Sequence, residues 1–234
     1  NSLSLQFNVE KVNIPDQPFR VLINYSNFNK LYLRLIRPDE KLKKDLENRY
    51  DDKYWPAIVT AKSFREWEQS LPVNNDIQPH TVEIKVDALP VGEYLLVAAT
   101  DKDFSNKKTV LGARLFYTSG ISYVNNNDDF FVLNRDNGQP LANAAVQVWE
   151  QKYDYKTSKY IKEKLKLYKA DANGYFRMDK RADNVYYSSY YLDITYNNDH
   201  LYLDEQTSYY YYNAEPPLPS GNKEKDIDLK TYTY

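Results

Sequence analysis

The sequence predicts an all-β protein built as two tandem antiparallel β-sandwiches, the first with a small helical insertion at about residues 38–75. Three observations carry that reading. Segments in which apolar and polar residues alternate recur along the chain, as half-buried strands require. Turn signals of Pro, Gly, Asn and Asp separate them at the spacing of a sandwich. The chain also holds 24 tyrosines against 9 phenylalanines and 3 tryptophans. Tyrosine favours strands with one wet face, because its ring packs while its hydroxyl stays hydrated. At 234 residues the chain is long for one sandwich and comfortable for two, at roughly 100–150 residues per domain.

The first strand is read from Leu3, Leu5, Phe7 and Val9, which alternate with polar neighbours. Pro15 and Pro18 interrupt the chain before FRVLINYSN, and Asn27 and Asn29 mark a turn into LYLRLIRPD, where Leu31, Leu33 and Leu35 share a face. Two strands about a short turn make a hairpin. From Pro38 the texture becomes helical: Leu42 and Leu46 are spaced i, i+4 among interleaved charges, and proline suits a helix's first turn. AKSFREWEQSL reads as a second helical piece, with Phe64, Trp67 and Leu71 as an apolar stripe gluing it to the sandwich. Strands resume with Val82, Ile84 and Val86. The Pro-Val-Gly turn of LPVGEYLLVAATD leads into a strand too apolar for an exposed face, and KKTVLGARLFYTS closes the unit with six or seven strands.

Gly120 marks the boundary, giving domains 1–119 and 120–234. The second unit opens with ISYVNNNDDFFVLNRDNGQPL, whose Asp136-Asn137-Gly138 is a tight turn supplying positive φ. A strand follows in which Val146, Val148 and Tyr153 point one way. The lysine-rich stretch from Tyr155 to Ala170 is read as part of a hairpin with one wet face, despite charges that would suit a helix. DANGYFRM is a turn entering a strand, and YYSSYYLDITYNNDHLYL a tyrosine-rich hairpin turning at Asn197-Asn198. Pro216, Pro217 and Pro219 belong to a loop, and KEKDIDLKTYTY to a strand leaving the domain.

The formal net charge of −2 argues against nucleic acid or an anionic membrane as partner, since either selects a basic excess. No apolar run approaches the roughly 20 residues that span a bilayer, so no membrane insertion by this segment is expected. With no cysteine there is no disulfide, thiolate nucleophile or cysteine-ligated metal in these residues. The chain starts at Asn1 without Met or an apolar leader, so it reads as a mature or excised piece of a larger exported protein.

Candidate chemistry is sparse. His80 and His200 have no third member at a recognisable spacing for zinc or a triad. Asp171, Asn173 and Gly174 glance at a calcium loop but lack its further ligands, and a turn explains them. Asp128 and Asp129 beside Asn125–Asn127 form a second acidic loop of the same weakness. Scattered acids leave glycoside hydrolysis without positive support. No catalytic, cofactor-binding or metal residue is assigned, and no cofactor. The tyrosine clusters Tyr186, Tyr187, Tyr190, Tyr191 and Tyr209–Tyr212 suit sugar stacking or protein contact. The competing reading places one ring of each pair in the core and the other over a domain junction.

LPVGEYLLVAATD resembles a strand pair of bacterial alpha-2-macroglobulin-like proteins. VLNRDNGQPLANAAVQVW is similar to their domain-opening signature, with DANGYF as its later partner, FREWEQSLP…QPHTVEI in the same order upstream, and DIDLKTYTY like the lead-in to a further domain. The resemblance is strongest over residues 55–234. It implies macroglobulin-like, immunoglobulin-like sandwiches from an early part of a large cell-envelope or periplasmic protease trap, with a lipid anchor beyond the first residue left open. Such traps use a cleaved bait segment and, in many members, a Cys–Gln thioester; this chain lacks the cysteine and shows no bait, so no functional residue carries over. The expectation is a non-enzymatic structural fragment of such an inhibitor. Its partners would be neighbouring domains of the same polypeptide, and proteases through the full-length parent. The alternative is a glycan-binding or adhesion module of a bacterial surface protein.

Overall fold

The computed structural model describes residues 3–73, 76, 78–105, 110–179 and 188–203. Its strands form two sandwiches whose sheets are antiparallel except for one short parallel pair. In the first, β1 (Ser4–Val9), β3 (Phe19–Ser26) and β6 (His80–Val86) make a three-stranded sheet in the order β1-β3-β6. It faces a five-stranded sheet ordered β2-β8-β7-β4-β5, from β2 (Val12–Asn13), β4 (Lys30–Ile36), β5 (Ser63–Ser70), β7 (Gly92–Ala99) and β8 (Leu111–Thr118). Alternation sets the faces: along β3, Phe19, Val21, Ile23 and Tyr25 are buried while Arg20 and Leu22 are exposed. Their buried row meets Leu31, Leu33, Leu35, Leu96 and Phe116 from the other sheet. Tyr94 lies at the centre, its ring 5.7 Å from Phe116. Its hydroxyl donates to the Pro90 carbonyl at 2.9 Å and accepts from Arg37 Nη2 at 2.9 Å, which satisfies a polar group that would be costly to bury alone.

The five-stranded sheet is covered on its second face as well. Helices α1 (Glu40–Leu46) and α2 (Tyr54–Thr60) bring Leu42 and Ile58 against Leu95, Val97 and Ala99. This third layer is why β7 is apolar on both sides. Asp39 caps α1, its carboxylate accepting from Leu42 N–H at 2.7 Å. Pro38 therefore precedes the cap and does not occupy the first turn.

The predicted second helix is instead strand β5, so the helical insertion spans only part of 38–75. Pairing with β4 supplies a ladder that an isolated amphipathic turn lacks, and a bulge opposite Leu35–Ile36 resets the alternation. As a result Phe64 returns beside Tyr94 at 6.0 Å, while Trp67 and Leu71 also meet the first core. The predicted stripe exists, but a bulged strand makes it.

The second sandwich packs β9 (Ile121–Asn126), β10 (Asp129–Asn134) and β13 (Tyr175–Arg177), in the order β13-β10-β9, on a four-stranded sheet. That sheet runs β12-β11-β14-β15, from β11 (Ala145–Asp154), β12 (Lys159–Lys169), β14 (Ser188–Tyr196) and β15 (Asp199–Tyr202). Phe130, Val132 and Phe176 meet Val146, Val148, Leu192 and Ile194 in its core. The turn at Asp136–Gly138 forms as expected, with Gly138 at φ 72°. The turn before β15 puts Asn197 at φ 53°, and His200 lies in the strand beyond it. Tyr153 does not share the Val146 and Val148 face, because seven residues of unbroken β11 alternation send it outward, where its ring meets Tyr155 at 5.1 Å and Tyr160 at 5.2 Å. The readings for Pro216–Pro219 and the last strand lie outside the described residues.

Candidate functional site: the seam between the sandwiches

Only Ser119 and Gly120 separate β8 from β9, and hydrogen bonds fasten this crossing from several directions. Thr118 and Ser119 are buried. Thr118 Oγ1 donates to the Pro90 carbonyl at 2.6 Å, and Ser119 N–H donates to the Asn13 carbonyl at 3.0 Å. Ser119 Oγ accepts from Ile121 N–H at 3.0 Å. Gly120 N–H donates to Asp199 Oδ2 at 2.7 Å, and its carbonyl accepts from Arg135 N–H at 2.7 Å. The Arg135 guanidinium then holds the Ile121 carbonyl from Nε at 3.1 Å and Nη2 at 2.9 Å. Burial lowers the pKa of Arg135, opposed by the charges of Glu10 and Asp199. A backbone whose polar groups are this fully engaged has little freedom to bend.

The sandwiches also share apolar residues. β2 pairs in parallel with the end of β8, Val12 opposite Tyr117, and these two side chains belong to the core of the second sandwich. Gln17 Nε2 reaches Asp136 Oδ1 at 3.3 Å. Beside them a charged set gathers. Lys43 of α1 pairs with Glu93 of β7 at 2.6 Å. Across the seam, His200 Nε2 is 2.6 Å from Asp193 Oδ1. The Asp193 hydrogen bond raises the His200 pKa against the opposing effect of burial, with Lys43 lowering it and Glu93 raising it. The arrangement offers no nucleophile poised by a base; what it can do is hold two bodies in one relation.

The remaining candidates stay apart. His80 lies in a groove of about 510 Å³ with Asp76, Tyr25 and Phe28 at an end of the first sandwich. Its Nε2 is 2.6 Å from Asp76 Oδ1, and this bond lowers the Asp76 pKa. Asp171 Oδ1 accepts from Asn173 N–H at 2.8 Å and Tyr175 N–H at 2.9 Å, closing a turn in which Gly174 has φ 72°. Asp129 Oδ1 accepts from the Tyr175 hydroxyl at 2.8 Å, so that pair is spent on β10–β13 contact. Among the described residues no group of three or more His, Asp or Glu is placed to hold a metal. Tyr190 packs against the second core. Tyr191, on the opposite face, is 6% exposed and hydrogen-bonded to Gln151, with Lys162 Nζ 4.9 Å above its ring. That ring is closed to a stacking sugar. Tyr186, Tyr187 and Tyr209–Tyr212 lie outside the described residues. The parts that Arg135 and Asp199 play at the crossing are not legible in the sequence, where Arg135 opens the turn of the VLNRDNGQPL signature and Asp199 sits in a turn-rich stretch.

The fold is that of macroglobulin-like, immunoglobulin-like β-sandwiches in tandem. Its likeness to solved structures is to a native Escherichia coli alpha-2-macroglobulin segment spanning domains MG0-NIE-MG1, with a TM-score of 0.57 and 15% identity, covering 86% of this chain and 64% of that one. The chain thus spans about two-thirds of the segment it matches. A Salmonella alpha-2-macroglobulin reacted with methylamine aligns over 86% of this chain and 16% of that chain, at a TM-score of 0.30 and 12% identity. No family model and no curated protein matches the sequence.

Proposed function

We propose that the chain is a non-catalytic scaffold segment of a bacterial alpha-2-macroglobulin-like protease inhibitor. It comprises two macroglobulin-like domains, 1–119 and 120–234, and works in the periplasm or at the cell envelope. Its task is to fix the relation between consecutive domains so that a cleavage elsewhere in the parent moves whole arms together. The observation that carries this reading is the seam: a two-residue crossing hydrogen-bonded on both sides, with Val12 and Tyr117 in the next domain's core. The E. coli likeness over most of the chain supports the family. Its physical partners are the neighbouring domains of its own polypeptide, and proteases are met only through the parent.

The test is incubation of the longer protein containing this segment with a broad-specificity protease. The expected result is a cleaved inhibitor that changes shape and leaves the protease unable to attack large substrates. Unimpeded digestion of a large substrate, with no shape change after cleavage, would sink the reading.

A further inference from the structure

The four-stranded sheet ends on β12, and among the described residues no strand pairs with its outer edge. Nine of its eleven positions are exposed, and at about 3.4 Å per residue the edge is roughly 35 Å long. Long open edges are rare because their backbone groups are a template for another chain. This one is also basic: Lys159, Lys162, Lys164, Lys166 and Lys169 stand against Glu163 alone, in a chain whose formal net charge is −2.

We propose that β12 is the receiving edge for an acidic, extended segment of another protein chain, which adds to the sheet as a fifth strand. The inference goes beyond the scaffold role and stands whether or not the parent traps proteases. Charge selects the occupant. A second copy would lay lysines against lysines, and like charges opposite one another destabilise a strand pair. A strand with Asp or Glu at those positions gains attraction as well as main-chain hydrogen bonds.

The molecule already seats one acid here. Lys166 Nζ pairs with Asp179 Oδ2 at 2.8 Å, and Asp179 N–H donates to the Tyr168 hydroxyl at 3.0 Å. Between the lysines, Leu165 and Leu167 are 40% and 60% exposed, an apolar footing for alternate side chains of the incoming strand. The edge is also preorganised. Gln147 Nε2 fills the bulge from behind, donating to the Leu165 carbonyl at 2.8 Å. Lys164 and Lys166 lie along the rings of Trp149 and Tyr168, at 6.0 and 4.9 Å. Side chains held in place lose less entropy on binding.

The experiment titrates the whole chain into a fluorescein-labelled eleven-residue peptide alternating Glu with Val and Thr, read by anisotropy. Hydrogen exchange of the complex is followed in parallel. The expected result is saturable binding, amide protection gained over residues 159–169, and at least about tenfold weaker binding by the K159E/K164E/K169E variant. These exposed changes should leave the melting temperature near its starting value, and the single K164E variant provides a milder version with a smaller loss. Absence of binding would overturn the proposal. So would equal binding of a proline-interrupted peptide with the same acids, or of a peptide with Lys in place of Glu. Association of copies through this edge, seen by sedimentation and abolished by K164E, would overturn it too.

Discussion

Gly120 and Gly174 look alike in the sequence, each a small residue beside a turn, yet their surroundings differ. At Gly174 a β-carbon would lie 2.3 Å from the Val132 carbonyl oxygen, a backbone atom, and φ is +72°. At Gly120 the nearest atom to such a carbon is Asp199 Oδ2 at 3.5 Å, an ordinary contact, with no positive φ. Gly174→Ala should therefore cost about 2 kcal/mol or more, because both clash and strained backbone oppose it. Gly120→Ala should shift stability by less than ~1 kcal/mol. Denaturant unfolding of the two variants checks this, and equal losses would contradict the geometry. The residue scale is also where sequence reading was weakest. Arg135 and Asp199 fasten the crossing through contacts spanning 14 and 79 positions, and no local pattern announces a bond of that length.

Strands and helices were more legible, because alternation and turn residues are local. Leu31, Leu33, Leu35, Ile84 and Val86 fell where period-two reading puts them. The failures share a cause. Phe64, Trp67 and Leu71 mimic a helical stripe only because a bulge shifts β5 by one residue, and the bulge depends on the β4 partner. Helix α2 falls inside the predicted helical insertion, but its limits were not legible because Ile58, Val59 and Thr60 are β-branched; covering the five-stranded sheet outweighs that weak preference. Between strands, the His200–Asp193 bond joins β15 to β14 and carries a pH dependence. Asp193 raises the folded pKa of His200 above its ordinary 6.5. A raised histidine pKa contributes stability that is fully present below the unfolded value and is lost as pH rises through the folded one. The contribution is modest, since the imidazole is more than a third exposed and solvent screens it. Against the wild type, Asp193→Asn should lose stability at pH 5 and approach it by pH 9. Parallel curves across that range in urea titrations would refute the assignment.

At the scale of the whole molecule, the shared apolar residues decide how the halves respond to stress. Val12 and Tyr117 come from the first sandwich and are buried in the second, so the second core is not complete without the first. One cooperative melting transition is expected, split into two when Tyr117→Ala opens the second core. Calorimetry would show it, and two transitions in the unaltered protein would contradict it. Overall class was readable from sequence because patterning alone decides it. The coupling was not, since it rests on residues 12 and 117 meeting in parallel at β2 and β8.

That meeting bears on biosynthesis. Val12 leaves the ribosome well before Leu201, a member of the same cluster that lies 189 positions further along the chain. At ~5–20 residues per second, roughly 10–40 s of translation separate the two. During that interval the nascent chain carries an apolar side chain whose home does not exist, a natural foothold for a chaperone.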